Sequence, residues 1–571
     1  MANIATLCSP ILSFAASLQE PLPFLTTSGA EWPYQGSTDV VEKLREGLEM
    51  RYSSWTKKTL DKKMCPVFTV LGGPGSGKSR MLQEFPGLCL SATNGDLHDL
   101  LEGAYAFHIS FENGTKFASS ELDGAIAIGN RMMWQLVRPP DHIGFFAFAS
   151  SHHYSIDDAL DKLSVLKGCP RNELPVYLLV DGVNPHQLGG LQFRSIVEAV
   201  SRTVMNRQFI IGAIASIVGC PITDVLGSSH QTRVMLQPPL LSSPADVLPD
   251  DATIPHLAIL RDDMGGYGRA LEILSEVLSL CHRRNQRPSF SKLSTDVQHA
   301  FEKAYDGWLE SRGIIDLLEP LLEAIVSRKP FTARSDMVAS PWTVDDVCGL
   351  GLVQWRGKGP LIAPVFLLLM LKSRLPADSL LRHLADGYDK LQGASDAGHW
   401  WQDFEAFVAY FRAIKAKAFL KSGWVPYGDM HYGAKLSAAA QKLLVRTPPA
   451  AADIRVIKAA HHYSSKSSGA VSSVCIKGEE EVSLKKRDVI VLNGVSSPFA
   501  DIFLDVDVKE CEGNPRHCRE AFACRHREDD VRAADFDEEW HKAADDTDMF
   551  MFFSTSKVLV ELNTLSSKKK V

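Results

Sequence analysis

Gly72-Gly73-Pro74-Gly75-Ser76-Gly77-Lys78-Ser79 is the stretch that decides the fold of this 571-residue sequence. It matches the pattern Gly-x-x-x-x-Gly-Lys-Ser, follows the apolar run Val67–Leu71 and precedes a helical segment, Arg80–Glu84. In that pattern the glycines let backbone amides turn around phosphate oxygens, the lysine neutralises the β- and γ-phosphates, and the serine hydroxyl ligates Mg²⁺. The octapeptide therefore predicts a P-loop with ATP and Mg²⁺ as its ligands.

An acidic residue at the end of another apolar strand would complete such a site. The run 176–180 ends in Asp181, which predicts a Walker B ligand for Mg²⁺. A turn aspartate after a buried strand is the competing interpretation. Gly182 stands where many ATPases of this type carry a water-activating glutamate, so the sequence predicts nucleotide binding with slow hydrolysis.

Short apolar runs at 67–71, 106–111, 145–149, 176–180 and 209–215 alternate with segments of helical periodicity. Buried strands separated by helices are typical of a parallel sheet covered on both faces. The predicted fold class is therefore α/β: a P-loop NTPase parallel-sheet domain, a helical and winged-helix-like middle region, and a C-terminal α/β domain. The Gly-, Ala-, Asp- and Ser-rich stretch 386–398 marks the last boundary. The predicted domains are 1–60, with no assigned role, then 61–250, 251–395 and 396–571.

Composition narrows the class of protein. A formal net charge of -7 excludes a uniformly basic nucleic-acid coat, although a local basic cleft is compatible with it. Eleven cysteines without a dense framework predict reduced thiols and an intracellular location, in the cytoplasm or nucleus. No basic segment precedes the early apolar residues, and the apolar run 361–371 is too short to span a bilayer, so neither a signal peptide nor a membrane segment is predicted.

Several segments carry a resemblance to a known family. Residues 67–84, Phe111–Thr115, Ile128–Trp134 and 176–181 resemble, in that order, the ATPase of the Crinkler and retrotransposon hot spot proteins. Residues 400–407 and 497–503 are similar to the opening helix and a core strand of the C-terminal nuclease-like domain of those proteins. The resemblance covers the chain from about residue 60 to its end and implies a nuclear site of action.

The resemblance further implies a restriction-endonuclease-like domain of the PD-(D/E)xK type that acts on DNA or RNA. Its motif carries over to Asp501 and Asp507 as metal ligands, Lys509 as the group that orients water, and Glu405 as an accessory acid. On one straight strand, however, Asp501 and Asp507 would be roughly 20 Å apart. Either the chain turns between them, another acid such as Asp488, Asp505 or Glu405 is the partner, or the site has decayed.

The competing function is a nucleotide-switched regulator or scaffold, whose catalytically inactive C-terminal domain contacts protein partners or a second copy. A small-molecule kinase fits less well, because the C-terminal extension is long. A further group of residues has zinc-ligand side chains but lacks paired Cys-x₂₋₄-Cys spacing, which favours a surface loop with free thiols. Its members are Cys511, His517, Cys518, Cys524 and His526.

Overall fold

The computed structural model of the chain falls into two compact units. The first comprises Met1–Asp251, Ala258–Leu280 and Asp345–Gln354, and the second comprises Ala252–Leu257, Cys281–Val344 and Trp355–Val571. The structure describes residues 18–25, 27–59, 61–112, 114–118, 120–138, 144–217, 220–228, 230–248, 257–284, 288–310, 315–349, 351, 353–355, 357–393, 400–420, 422–446, 453–463, 472–478, 480–485, 487–494, 497, 499–525, 531–544 and 548–554.

The first unit is an α/β domain in which helices alternate with strands. In chain order its elements are α1 (Thr38–Thr56), β1 (Val67–Leu71), α2 (Lys78–Gln83), α3 (Phe85–Ala92), α4 (Gly95–Glu102), β2 (Tyr105–Ser110), α5 (Gly124–Val137), α6 (Phe145–Ser151), α7 (Ile156–Lys167), β3 (Val176–Asp181), α8 (Pro185–Leu188), α9 (Gly190–Val204), β4 (Ile210–Ser216), α10 (Cys220–Ser228), β5 (Arg233–Leu236), α11 (Pro244–Val247), α12 (Leu257–Asp263, whose first residue belongs to the second unit) and α13 (Gly268–Arg283, whose last three residues belong to the second unit).

Its five strands form one parallel sheet in the order β2-β3-β4-β1-β5. Successive residues of each strand point to opposite faces, so Phe107 and Leu178 enter one buried core while Phe68 and Tyr177 enter the other. The predicted parallel sheet with two covered faces is confirmed. The carboxyl ends of the strands meet at one edge, where Leu71 is level with Ser216 and Ser110 is level with Asp181.

One predicted strand is wrong. Residues 145–149 form the start of helix α6 rather than a strand. Phe145, Phe148 and Ala149 are its buried residues. Their i, i+3, i+4 spacing is that of one helix face, which a short apolar run does not distinguish from a buried strand.

Helix α1 belongs to the packed core of this unit. Arg51 of α1 is 1% exposed, and its guanidinium donates to the carbonyls of Gln208 (2.7 Å), Asn206 (3.1 Å) and Ile210 (3.3 Å). The cation also lies 5.5 Å from the centre of the Phe209 ring. A buried charge needs hydrogen-bond partners, so these carbonyls fix α1 beside the start of β4.

The second unit begins with helices and ends with a mixed sheet, in which some neighbouring strands are parallel and others antiparallel. Its elements are α14 (Phe290–Glu310), α15 (Ile315–Ser327), β6 (Pro330–Phe331), β7 (Met337–Ala339), β8 (Trp342–Thr343), α16 (Val344–Gly349, whose last five residues belong to the first unit), β9 (Gly359–Pro360), α17 (Val365–Leu371), α18 (Leu380–Gly393), α19 (Trp400–Ala418), β10 (Trp424–Pro426), α20 (Tyr427–Met430), β11 (Leu443–Arg446), β12 (Arg455–Lys458), β13 (Ser473–Cys475), β14 (Glu481–Ser483), β15 (Val489–Leu492), β16 (Ile502–Glu510), β17 (Arg516–Arg525), α21 (Ala533–Ala543) and β18 (Met549–Ser554).

The large sheet of this unit runs β10-β11-β16-β15-β12, with β17 beside β16 and β18 beside β17. Ile502, Leu504 and Val506 enter one core, and Phe503 enters the other. Among the described residues, short strand pairs β6 with β9 and β7 with β8 stand where the winged-helix-like region was predicted. Residues 350, 352 and 356 of this region lie outside the described part.

The predicted surface loop around Cys518 and Cys524 is wrong. Both cysteines lie in β17, a ten-residue strand, and both are buried. The strand lies between β16 and β18, and its residues from Cys518 to Cys524 are all buried. Because two of these buried residues, Arg519 and Glu520, are charged, the sequence does not show the apolar pattern by which a buried strand is recognised. His526 lies outside the described residues.

Candidate functional site

The P-loop occupies the turn between β1 and α2. Gly75 and Gly77 have φ values of 73° and 94°, in the left-handed region that favours glycine. The backbone N–H of Gly72 donates to the carbonyl of Ser216 (3.3 Å), which continues the pairing of β1 with β4 into the loop. The loop therefore starts at the edge of the sheet where the other strands end.

Ser79 and Asp181 meet directly. The Ser79 hydroxyl donates to Oδ2 of Asp181 at 2.6 Å, and Oδ1 of Asp181 accepts from the N–H of Gly182 at 2.9 Å. Asp181 is 3% exposed. A hydroxyl and a carboxylate at this distance are suited to share one Mg²⁺, because hard cations prefer oxygen ligands.

Two polar groups of the loop are buried in a way that fits a phosphate. The Lys78 Nζ donates to the carbonyl of Gly73 (2.8 Å), and burial lowers the pKa of Lys78 while the carboxylates of Asp181 and Glu112 oppose that shift. The Ser76 hydroxyl is buried and has no hydrogen-bond partner among the described residues. A buried cation and an unpaired buried donor both gain from an anionic ligand.

A cavity of about 430 Å³ adjoins the P-loop. Its lining includes Gly75–Arg80, Tyr34, Pro238, Leu241 and Arg269. The Tyr34 hydroxyl is buried without a hydrogen-bond partner in the described part of the chain, and burial, with the nearby Glu84 carboxylate, raises the pKa of Tyr34 to about 12. A largely apolar cavity with a few unsatisfied polar groups is the usual form of a small-molecule site.

The N-terminal segment, to which the sequence assigned no role, forms one wall of this cavity. Arg80 of α2 donates to the carbonyls of Gly29 (3.1 Å) and Trp32 (3.0 Å). Glu272 of α13 accepts from the Thr27 hydroxyl (2.6 Å), the Gly29 N–H (2.9 Å) and the Arg269 guanidinium (3.1 Å). No local sequence signal joins these residues, because the segments meet only in the folded unit.

Glu112 is a second acid near Asp181 that sequence reasoning missed. It follows β2, the neighbour of β3 in the sheet. Burial raises the pKa of Glu112, the Asp181 carboxylate adds to the shift, and Lys78 and Lys116 oppose it. An acid directly after a predicted strand was the available signal, but the order of the strands was needed to place it beside Asp181.

In the second unit, Asp501 stands at the start of β16 beside β17. Its Oδ2 accepts from the N–H of Cys524 (2.7 Å) and from the guanidinium of Arg525 (2.8 Å). Arg525 also donates to Oε1 of Glu539 on α21 (2.9 Å). Burial raises the pKa of Asp501, and Arg525 opposes that shift.

The carboxylate of Glu405, on α19, is close enough to Asp501 to interact with it electrostatically, and these two acids with Arg525 and Glu539 form the Asp501 cluster. Burial raises the pKa of Glu405 to about 7, Asp501 adds to the shift, and Arg525 and Lys458 oppose it. The structure thus brings together two of the four predicted nuclease-like residues.

Asp507 and Lys509 lie toward the other end of β16. Asp507 forms ion pairs with Arg446 (2.6 Å) and Arg487, and the Lys509 ammonium lies 4.8 Å from the centre of the Trp424 ring. The chain does not turn between Asp501 and Asp507, since residues 502–510 form one strand. Asp505 pairs with Arg519 (3.1 Å). Within the described ranges, no group of three or more His, Cys, Asp or Glu side chains is placed to hold a metal ion.

The fold and the Ser79–Asp181 geometry define the first unit as a P-loop domain of the α/β class. The chain is 30% identical over 532 residues to Crinkler effector protein 108 of Phytophthora sojae, a match that covers 89% of this chain and 62% of that protein. The chain therefore spans less than two thirds of that relative. No protein-family model matches the sequence.

Two solved structures resemble this chain only weakly. One is the Aeropyrum pernix ORC2 protein in ADPNP and ADP complexes, with 13% identity and a TM-score of 0.32, covering 61% of this chain and 94% of that one. Another is Drosophila ORC bound to AT-rich DNA and Cdc6, with 15% identity, a TM-score of 0.17, and coverage of 59% and 97%. At these TM-scores neither structure establishes the fold or the function of this chain. Separately, none of the helices in the described part is both long and apolar enough to cross a membrane.

Proposed function

We propose that the first unit is an NTPase that binds ATP with Mg²⁺, in a protein of the Crinkler type. The observation that carries this proposal is the 2.6 Å contact between the Ser79 hydroxyl and Asp181, at the end of a P-loop with a buried lysine. The adjoining cavity would receive the base and ribose. An intracellular location, with the nucleus implied by the resemblance, stays a prediction.

Different residues would bind the phosphates and the metal ion. Lys78 would exchange its contact with the Gly73 carbonyl for the phosphates, and the unpaired Ser76 hydroxyl would gain an acceptor. Ser79 and Asp181 would hold the metal. When bound, Mg²⁺ supplies positive charge that offsets the charge developing on the transferred phosphoryl group.

A calorimetric titration with ATP and Mg²⁺ tests the proposal. Lys78→Ala should weaken ATP binding at least about tenfold, since the main cationic contact is worth more than about 1.4 kcal/mol. Asp181→Asn should remove the contribution of Mg²⁺ to binding while ATP alone still binds. Lys63→Ala, an exposed lysine outside the site, is the control. Equal affinities for Lys78→Ala and the wild-type chain would refute the assignment.

A second candidate function is metal-dependent cleavage of DNA or RNA by the second unit. The electrostatic interaction between Glu405 and Asp501 favours it, because two nearby carboxylates are the usual ligands of a catalytic Mg²⁺. The Arg525 ion pairs favour the alternative of a non-cleaving interaction domain, because a guanidinium already engages Asp501 and Glu539.

Incubation of the full chain with DNA and RNA in Mg²⁺ or Mn²⁺ separates these functions. Cleavage that Asp501→Asn and Glu405→Gln abolish, and that Asp507→Asn leaves intact, would establish the nuclease at the Asp501 cluster. Loss of cleavage in Asp507→Asn or Lys509→Ala would move the site to the other end of β16. Nucleic-acid binding without any cleavage would support the interaction domain.

A further inference from the structure

We propose that Glu112, supplied by the strand next to Asp181, is the general base for ATP hydrolysis in the first unit. The inference rests on the proposed NTPase function and deepens it. It concerns the step for which the sequence offers no candidate, because Gly182 follows Asp181 directly.

Strand pairing sets the backbone of Glu112 beside Gly182. Ser110, the last residue of β2, is level with Asp181, the last residue of β3. The N–H of Phe111 then donates to the carbonyl of Asp181 (3.0 Å), which extends the pairing by one residue. Glu112 therefore leaves the sheet at the same edge as Gly182.

The side chain of Glu112 fills the space that a side chain at position 182 would need. A Cβ added to Gly182 would lie 2.7 Å from Cγ and 3.2 Å from Cδ of Glu112. Gly182 also has a φ of 74°, which disfavours other residues. The carboxylate that this chain lacks directly after Asp181 is thus provided in the same volume by the neighbouring strand.

The described residues on either side of Glu112 are tied to one another and to α5 by hydrogen bonds. Arg131 of α5 donates to the carbonyls of Ser110 (3.2 Å), Thr115 (2.6 Å) and Lys116 (2.8 Å). The Thr115 hydroxyl donates to the carbonyls of Ser110 (2.7 Å) and Glu112 (3.0 Å). A general base must be fixed close to its water, and these bonds supply that order.

Glu121, a second glutamate near this loop, differs from Glu112 in the hydrogen bonds of its carboxylate. Both oxygens of the Glu121 carboxylate have hydrogen-bond partners, since Oε1 accepts from Arg131 (2.8 Å) and Oε2 accepts from the N–H of Ala118 (2.8 Å). The Glu112 carboxylate forms no hydrogen bond or ion pair with another residue in the described ranges. Glu112 is therefore available to a water molecule.

In the proposed step, the Glu112 carboxylate accepts a proton from water as the water oxygen forms a bond to the γ-phosphorus. The bond between that phosphorus and the oxygen bridging to the β-phosphate breaks. ADP and inorganic phosphate leave, and the proton on Glu112 passes to phosphate or solvent.

Glu112→Gln tests the inference, because the amide keeps the shape of the side chain and cannot accept the proton. We expect ATP affinity within about threefold of wild type and a loss of turnover of at least about 100-fold, the lower end of general-base catalysis. After incubation with radiolabelled ATP and rapid desalting, the variant should retain ATP where the wild-type chain retains ADP. Glu102→Gln, an exposed glutamate at the end of α4, is the matched control.

The outcomes separate the two proposals. A wild-type chain that binds no ATP overturns the proposed function itself. A chain that binds ATP but does not hydrolyse it, or a Glu112→Gln variant that turns over at the wild-type rate, overturns the role of Glu112 alone. Loss of ATP affinity in Glu112→Gln, as in Lys78→Ala, would assign Glu112 to binding rather than to catalysis and would also overturn it.

Discussion

At the scale of single residues, the buried acids of this chain are distinguished by their partners. Glu121 and Asp507 are held by arginines, whereas Glu112 and Glu405 sit near other carboxylates. A carboxylate that faces a like charge in a buried site holds its proton to higher pH than an exposed one, which raises the pKa of Glu112 and Glu405. Raised pKa values of this kind are informative about function, because shifted pKa values are concentrated at active and binding sites.

Glu405 gives a prediction about pH. Its pKa is about 7 in the folded chain against an ordinary value of 4.5, so between these pH values the folded state binds more protons than the unfolded state. Stability of the second unit should therefore fall as pH rises from about 5 to about 8. Glu405→Gln removes this contribution, so the variant should gain stability relative to wild type at pH 8 and gain less at pH 5.

Urea unfolding at the two pH values measures this effect, with Glu512→Gln as an exposed control. Asp501, Arg525 and Lys458 surround Glu405, so the comparison with the isosteric amide is made at each pH separately. A midpoint difference between wild type and Glu405→Gln that does not change with pH would contradict the shifted pKa.

At the scale of elements, Gly351, which follows α16, packs against the P-loop. A Cβ on Gly73 would meet the Cα of Gly351 at 2.0 Å, and a Cβ on Gly351 would meet Cδ of Pro74 at 2.5 Å. Two glycine backbones in direct contact leave no space for a side chain on either. The conformation of the loop therefore depends on residues far along the chain.

Gly351→Ala should weaken ATP binding roughly tenfold, or ~1.4 kcal/mol, because the added methyl group displaces Pro74 and with it the phosphate loop. Gly357→Ala is a matched control, since Gly357 also has a positive φ (84°) but a Cβ there would meet nothing within 4 Å. Titration with ATP compares the two. Equal affinities would show that the loop adjusts without cost.

These elements also show what could be predicted from the sequence. The P-loop and Asp181 follow from local patterns, in which one stretch of chain supplies both the turn and the chemistry. Glu112, Arg269 and Gly351 reach the site through strand order and tertiary packing, which a single sequence does not encode locally. The same limit applies to Arg525, whose strand β17 carries buried charges that mask its alternation.

At the scale of the whole molecule, each unit has its own cores and its own buried polar network. In the second unit, Glu520 accepts from Arg412 (2.7 and 3.0 Å), Tyr427 (2.9 Å) and His431 (2.7 Å). Burial alone would raise the pKa of Glu520, but Arg412 and His431 outweigh it and hold the pKa well below its ordinary value. Such a fully paired network is costly to break on one side.

Two perturbations should therefore act on different units. Mg²⁺-ATP at about 100 times its dissociation constant should stabilise the first unit by about 2.7 kcal/mol, because only the folded state binds it. Glu520→Gln should destabilise the second unit by about 3–5 kcal/mol, because it leaves the Arg412 charge buried without its counter-ion. Differential scanning calorimetry should show two transitions, one raised by ATP and the other lowered by the substitution.

The control for the ligand is Lys78→Ala, in which ATP should no longer raise the first transition. The control for the network is Arg412→Met combined with Glu520→Gln, which removes both charges, keeps an amide oxygen for Tyr427 and His431, and should recover part of the stability lost in Glu520→Gln alone. A single transition that ATP raises and Glu520→Gln lowers would contradict separate folding of the two units. It would mean that nucleotide binding at Lys78 is coupled to the stability of the sheet that carries Asp501, which is the coupling a nucleotide-switched regulator requires.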